Sequence, residues 1–158
     1  MRRKDREITD HAEMESLLHN AVVCHLACAD NNVPYVVPLC YGYMNKVLYI
    51  HSGKGGKKIE CLKKNPSCCV EVDLVEDVKK AESPCKWEMR YKSVICTGKA
   101  RFVDNAQEKR IALACIINHY GCRSYEFSEP ELASVCIIRI DIEDMTGKKY
   151  GCDKPHQS

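Results

Sequence analysis

Residues 21–52 constrain the fold of this chain more than any other part of it. Three strand-like stretches lie there, separated by two tight turns. Residues 21–29 (AVVCHLACA) read as one strand. Residues 33–43 (VPYVVPLCYGY) read as a second, with Tyr35, Val37, Leu39 and Tyr41 alternating along it. Residues 47–52 (VLYIHS) form the third. Asp30-Asn31-Asn32 and Asn45-Lys46 between them are residues that accept tight-turn backbone angles. Two hairpins in succession commit the chain to an antiparallel sheet.

The remaining elements fit around that sheet. Residues 8–20 read as a helix, with Asp10 as its cap, Glu13 completing a capping box, and Ile8 against Met14 as a staple. A second helix spans about 55–64 and stops at Asn65-Pro66, because the residue before a proline leaves the helical region. Strands follow at 67–75 and 88–103, with a polar surface loop expected at 76–87. Asp104 with Gln107 is expected to cap a helix over 105–118, and Gly121 suits its end. A last strand is expected at 134–142, then a polar tail from Thr146. Six strands without regular βαβ alternation predict a mainly β protein: an antiparallel barrel with peripheral helices. No repeat or linker divides the chain, so residues 1–150 read as one domain and 151–158 as a tail.

The stretch between the third strand and the second helix carries the clearest chemical signal. His51-Ser52 is followed by Gly53, Gly55 and Gly56, interleaved with Lys54, Lys57 and Lys58. Glycines let backbone approach an anion closely. A helix N-terminus offers free N–H groups and the positive end of a dipole, so the segment reads as a phosphate cradle. It is not a Walker loop, since Lys57 is followed by Lys58 rather than Ser or Thr. The plainer alternatives stay open: a solvated His51, and lysines on an exposed helix helped by a Glu60–Lys64 pair.

Composition excludes several classes. A net charge of +2 argues against bulk nucleic-acid binding. No apolar run approaches the ~20 residues of a membrane span. The basic N-terminus has no apolar segment after it and does not read as a secretory signal, which makes the cytoplasm the expected location. Twelve cysteines would suit a disulfide framework in a secreted protein, but many lie inside apolar runs and read as small buried hydrophobes. No CxxC pair supports a zinc or thioredoxin-type site, and Cys152 with His156 is too little for a metal.

Single residues stand out. Pro38 cannot donate to a ladder, so its strand is an edge or is broken there. Either the neighbouring backbone serves a flat heterocycle, or the strand is simply a bulged edge. Trp87 and Tyr91 suit stacking on a ligand, the core or an interface. His25, in an apolar strand, reads as structural.

Taken in order, five segments carry a resemblance: MRRKDREITD, VPYVVPLCYGY, LYIHSGKGGKKIECLKKNP, YKSVICTGKARFV and IEDMTGKK. Over about residues 1–150 the chain resembles the nitroimidazole-resistance (Nim) flavin-binding proteins, within the pyridoxamine-phosphate-oxidase-like split-barrel group. The resemblance implies a homodimer of six-stranded Greek-key split barrels with FMN at the interface. It places the phosphate on His51, Ser52, Lys57 and Lys58, and the flavin ring against the backbone of Val37, Pro38, Leu39 and Cys40. It makes Ser93, five residues before Gly98, a further contact. Lys57 stands where the oxidases carry arginine, which replaces a bidentate fork with a point charge. Cys40 stands where relatives often carry Asn or His. The arginine-containing C-terminal segment of true oxidases is not visible, which speaks against pyridoxamine oxidation.

The function implied is an FMN-dependent oxidoreductase reducing small electron-poor compounds such as nitroaromatics, with His51 as the proton donor. The alternatives are a non-enzymatic flavin-binding or sensing protein, or a binder of another anionic cofactor such as haem or a pyridine nucleotide.

Overall fold

The protein's structure, a computed structural model, describes residues 3–152. His156 and the rest of the tail from Asp153, like Met1 and Arg2, lie outside the described residues. Eight strands form one sheet, with all pairs antiparallel. In chain order the elements are β1 (Glu7–Ile8), α1 (His11–Asn20), β2 (Cys24–Asp30), β3 (Val33–Leu39), β4 (Gly42–Met44) and β5 (Val47–Ser52). Then come α2 (Lys57–Lys64), β6 (Ser67–Lys79), β7 (Glu88–Val103), α3 (Ala106–His119), α4 (Glu129–Ser134) and β8 (Cys136–Tyr150). The strand order is β3-β2-β6-β7-β8-β5-β4, with β1 added on β8. The terminal strands β3 and β4 are not paired with each other, so the barrel is split.

Six strands were expected. The count rises to eight because the 33–43 stretch divides and because two residues before α1 join β8. The division falls after Pro38. The Tyr41 amide leaves the ladder and donates to the Tyr120 hydroxyl at 3.2 Å. The next residues pair with β5 instead of β2.

Both hairpin turns follow the local chemistry. Asn31 and Asn32 have φ of 49° and 63°, and Asn45 and Lys46 have 51° and 62°. Such paired positive values suit the right-handed twist of the flanking strands, and asparagine tolerates them well. Asp10 caps α1 by accepting from the Ala12 amide at 2.9 Å. Glu13 does not complete a capping box; its carboxylate takes Lys92 at 2.9 Å and Lys149 at 3.2 Å. Ile8 and Met14 meet over Gly147, where an added Cβ would stand 2.8 Å from each.

Three other expectations change. β6 continues to Lys79 past an irregularity between Val75 and Asp77, pairing Asp77, Val78 and Lys79 with Arg90, Met89 and Glu88. The partner strand, with Arg90 3.4 Å from both Glu76 and Asp77, overrides the polar composition there. β8 runs to Tyr150, held by β7 on one side and β1 on the other, so the lysine-rich stretch from Thr146 is strand. The α3 cap is Asn105, which accepts from the Glu108 amide at 2.9 Å. Asn105–Glu108 has the same spacing as Asp104–Gln107, and local sequence does not separate them.

The main core fills the barrel, built on Leu26, Leu48, Ile50, Val70, Val94 and Ile140. A second core, around Tyr49, Val103, Leu113 and Ile137, lies on the other side of the sheet beneath α3 and α4. No described helix is long and apolar enough to cross a membrane.

All twelve cysteines are free thiols. Burial pushes Cys24, Cys68 and Cys96 up to about 12, while Cys40, Cys85 and Cys122 are exposed. Alkylation needs the thiolate. Brief iodoacetamide treatment of the native protein is therefore expected to modify Cys85 and Cys122 and to spare Cys24, Cys68 and Cys96. Peptide mass spectrometry reads the result; equal modification of both sets would show that the barrel interior is open.

Candidate cofactor site

β5 ends at Ser52 and runs directly into the glycine–lysine turn and α2. Gly56, at φ 107°, occupies the N-cap position of α2 in a conformation that side-chain-bearing residues avoid. No side chain caps this helix end. The Ile59 and Glu60 amides donate to the Gly56 carbonyl at 3.0 and 3.2 Å, which leaves the Lys57 and Lys58 amides to an outside acceptor. A Cβ on Gly53, Gly55 or Gly56 would meet nothing within 4 Å, so the turn faces open space.

His51 is exposed here, and the Ser52 Oγ is buried without a hydrogen-bond partner. A buried hydroxyl left unpaired costs free energy until something bonds it, and a phosphate oxygen would do so. Lys57 leans over the Tyr35 ring, its Nζ 4.9 Å from the centroid. Lys58 is half-buried, and its charge is felt by the thiol of Cys136, at the start of β8. The two lysines serve different sides of the helix end. The Glu60–Lys64 pair gives way to a longer-range one: Lys64 bonds Asp30 at 2.6 Å.

The other expected residues fall on β3 and β7. Val37 and Leu39 turn inward and pack against the barrel core, whereas Pro38 and Cys40 are exposed. What β3 offers a planar ligand is therefore its backbone, the Pro38 ring and the Cys40 thiol. Pro38 sits on an edge strand, where its missing N–H breaks no ladder. Ser93 lies on the same outward face, paired with Asp73 of β6 and Lys148 of β8. Trp87 is exposed, and its indole N–H donates to the Ala81 carbonyl at 2.9 Å.

The structure thus gathers the nine expected residues into two groups. His51, Ser52, Lys57 and Lys58 surround the turn; Val37 to Cys40 and Ser93 belong to the β3–β2–β6–β7 part of the sheet. Helix α2 links them, since it packs on β2 and sets Lys57 over Tyr35 of β3. Two cavities of about 630 Å³ each lie against α3, and none of the nine residues lines them. Smaller cavities lie nearer the site: one of about 440 Å³ on β2, β6 and β7, lined by Ala27, Cys69 and Thr97, and one of about 300 Å³ beside Lys54 of the turn.

His25, expected to be structural, stands on the outward side of β2. It lies directly opposite Pro38 on one side and Glu71 on the other. Its side chain is 43% exposed, and Nδ1 stands 3.3 Å from the Glu71 carboxylate. Asp73 adds a second carboxylate, and polar atoms of all three side chains lie within 4.8 Å of one another. Partial burial, then the neighbouring Asp73, raise Glu71 above the usual carboxylate range, while His25 opposes that rise. Glu71 and Asp73 were legible as alternating outward positions in CCVEVD, but nothing local pointed them at His25.

The family model described as pyridoxamine 5'-phosphate oxidase matches residues 10–149 of this chain. Among solved structures, a proposed 5-nitroimidazole antibiotic resistance protein of Bacteroides thetaiotaomicron is 36% identical, with a TM-score of 0.81 over 90% of this chain and 86% of that one. An FAD-binding protein of Mesorhizobium loti is 28% identical, with a TM-score of 0.68 over 92% and 97% of the two chains. The flavocytochrome Anf3 of Azotobacter vinelandii shares the fold at 19% identity, with a TM-score of 0.81 over 95% and 72%. Comparison with curated proteins gives no match.

Proposed function

Because the chain belongs to the pyridoxamine 5'-phosphate oxidase family, we propose that it binds FMN and, as a homodimer, reduces small electron-poor compounds such as nitroaromatics. The observation that carries this reading is the uncapped glycine turn at α2, where the Ser52 hydroxyl has no partner and two lysines stand at the helix end. A phosphate monoester satisfies all three: it accepts from the hydroxyl, from first-turn amides and from the lysines. Bound there, FMN supplies the electron transfer, and the protein supplies position and electrostatics. His51 and Ser52 hold the phosphate end with Lys57 and Lys58. The backbone of Val37 to Cys40 supports the ring, and Ser93 contributes a hydroxyl from β7.

The outward face of β3, β2, β6 and β7 supports the dimer. Val36, Val75 and Ile95 are 62%, 54% and 44% exposed there, around Pro38. A second copy would take this apolar surface out of water, which favours association. The 28%-identical relative is described as FAD-binding, which supports a flavin as the ligand class.

The test is the visible absorption of protein mixed with FMN and passed through gel filtration. Flavin bands eluting at the volume of a dimer are expected. Reduction of a nitroaromatic by a reduced nicotinamide should then be catalytic in protein. A protein that stays colourless sinks the reading; one that holds FMN without turnover leaves flavin binding and removes the reductase.

A further inference from the structure

The outward sheet face carries an ionisable pair beside the predicted ring position. The row Pro38–His25–Glu71–Ile95 runs straight across β3, β2, β6 and β7 through directly paired residues. His25 is therefore one strand from the backbone assigned to the flavin. Its side chain remains partly open to solvent. The titratable groups that β6 presents on this face are Glu71, Asp73 and Cys69; β3 presents Pro34, Val36 and Pro38, and the exposed thiol of Cys40 follows directly after it. His51, by contrast, is paired with Ile137 at the far end of the strand order and leads into the phosphate turn.

We propose that His25, oriented by Glu71, is the residue that delivers a proton to the substrate at this face. The inference rests on the FMN reading above. The Glu71 carboxylate accepts from Nδ1–H, which fixes the ring and leaves Nε2–H as the donor. Two-electron reduction of a nitro group to the nitroso level takes up two protons and releases one water. The reductant is the anionic reduced flavin: both electrons and one proton come from it, and it is left oxidised. The second proton leaves the His25 imidazolium for the departing oxygen. The N–O bond breaks as that O–H bond forms, and neutral His25 is reprotonated from solvent.

The experiment uses the full-length, FMN-loaded protein and its His25→Gln, His25→Ala and Glu71→Gln variants. FMN affinity, read by fluorescence quenching, should not change, because none of these residues belongs to the phosphate turn. For His25→Gln, kcat for a nitroaromatic should fall about 100-fold, the scale of a lost general acid. Its pH profile should lose a limb that the wild-type profile shows. Millimolar imidazole should restore rate to His25→Ala. Glu71→Gln should lower kcat less than His25→Gln does, since it loosens the ring without removing the donor. Independently of activity, the Glu71 carboxyl carbon, followed by NMR, should titrate higher in His25→Gln than in wild type, since His25 opposes the upward shift.

Wild-type protein that fails to hold FMN overturns the reading and this inference together. Wild-type and variant proteins that hold FMN equally, with unchanged kcat and pH profile, overturn the inference alone. FMN-loaded wild type without turnover overturns the reductase part of the reading and this inference together, and leaves flavin binding standing.

Discussion

Replacing Lys57 and Lys58 together by alanine is expected to weaken FMN binding at least about 100-fold. A hydrogen bond to a charged group contributes roughly 1.5–3 kcal/mol, and about 1.4 kcal/mol corresponds to tenfold in affinity. The lower bound is the appropriate one, because Lys57 is exposed and solvent screens its charge. The singles should differ. Lys57 already rests on Tyr35, and losing it also removes a cation–aromatic contact. Lys58 is half-buried, so its contact is less screened. Fluorescence titration at low and high salt reads both effects, and the salt dependence of binding should shrink in the double variant. An unchanged dissociation constant would remove the phosphate from the α2 turn.

The second large effect is on stability. Gly98→Ala is expected to destabilise the fold by about 3 kcal/mol, near the upper end for overpacking. The added Cβ would stand 2.2 Å from the Asp141 carbonyl oxygen and 3.1 Å from its carbon. Both are backbone atoms of the paired strand, at the register shift between Thr97 and Gly98. A flexible side chain could swing away; a ladder carbonyl in the middle of a sheet cannot. For a chain of this size about 3 kcal/mol lowers Tm by roughly 6–12 °C. Gly53→Ala is the control, since its Cβ would meet nothing within 4 Å. That change should stay within about 0.5 kcal/mol. Equal melting temperatures for Gly98→Ala and wild type would show that β7 and β8 separate easily at this point.

The two substitutions differ in how visible their sites were beforehand. The lysine–glycine turn was legible because its determinants are neighbours in sequence: a strand end, three glycines, and a helix stopped by Asn65-Pro66. The strand at Val47–Ser52 was read with the boundaries it has. So was the start of β7 at Glu88 and its end at Val103. The tight packing at Gly98 was not legible. It arises from Asp141, more than forty residues away, and no local propensity records it.

The same contrast explains the errors. β6 and β8 were read short because their ends are polar, and polarity is a fair sign of a loop when a strand has no partner. Here Lys79 and Tyr150 each have one, in β7, and the ladder bonds outweigh side-chain preference. α4, unforeseen, begins at a genuine capping box between Ser128 and Glu131. Its apolar content is a single buried residue, Leu132, too little to show a helical period.

The sequence by itself determined the antiparallel class, both hairpin turns, the α1 cap, and the candidate phosphate turn. Each depends on residues within a few positions of one another, where backbone preference and short-range hydrogen bonds decide the outcome. Only the tertiary structure decided how far the long strands run, which face of β3 is exposed, and that His25 meets Glu71 beside Pro38. Each depends on strand pairing, and His25 and Glu71 meet from 46 residues apart along the chain, in a register no local pattern specifies.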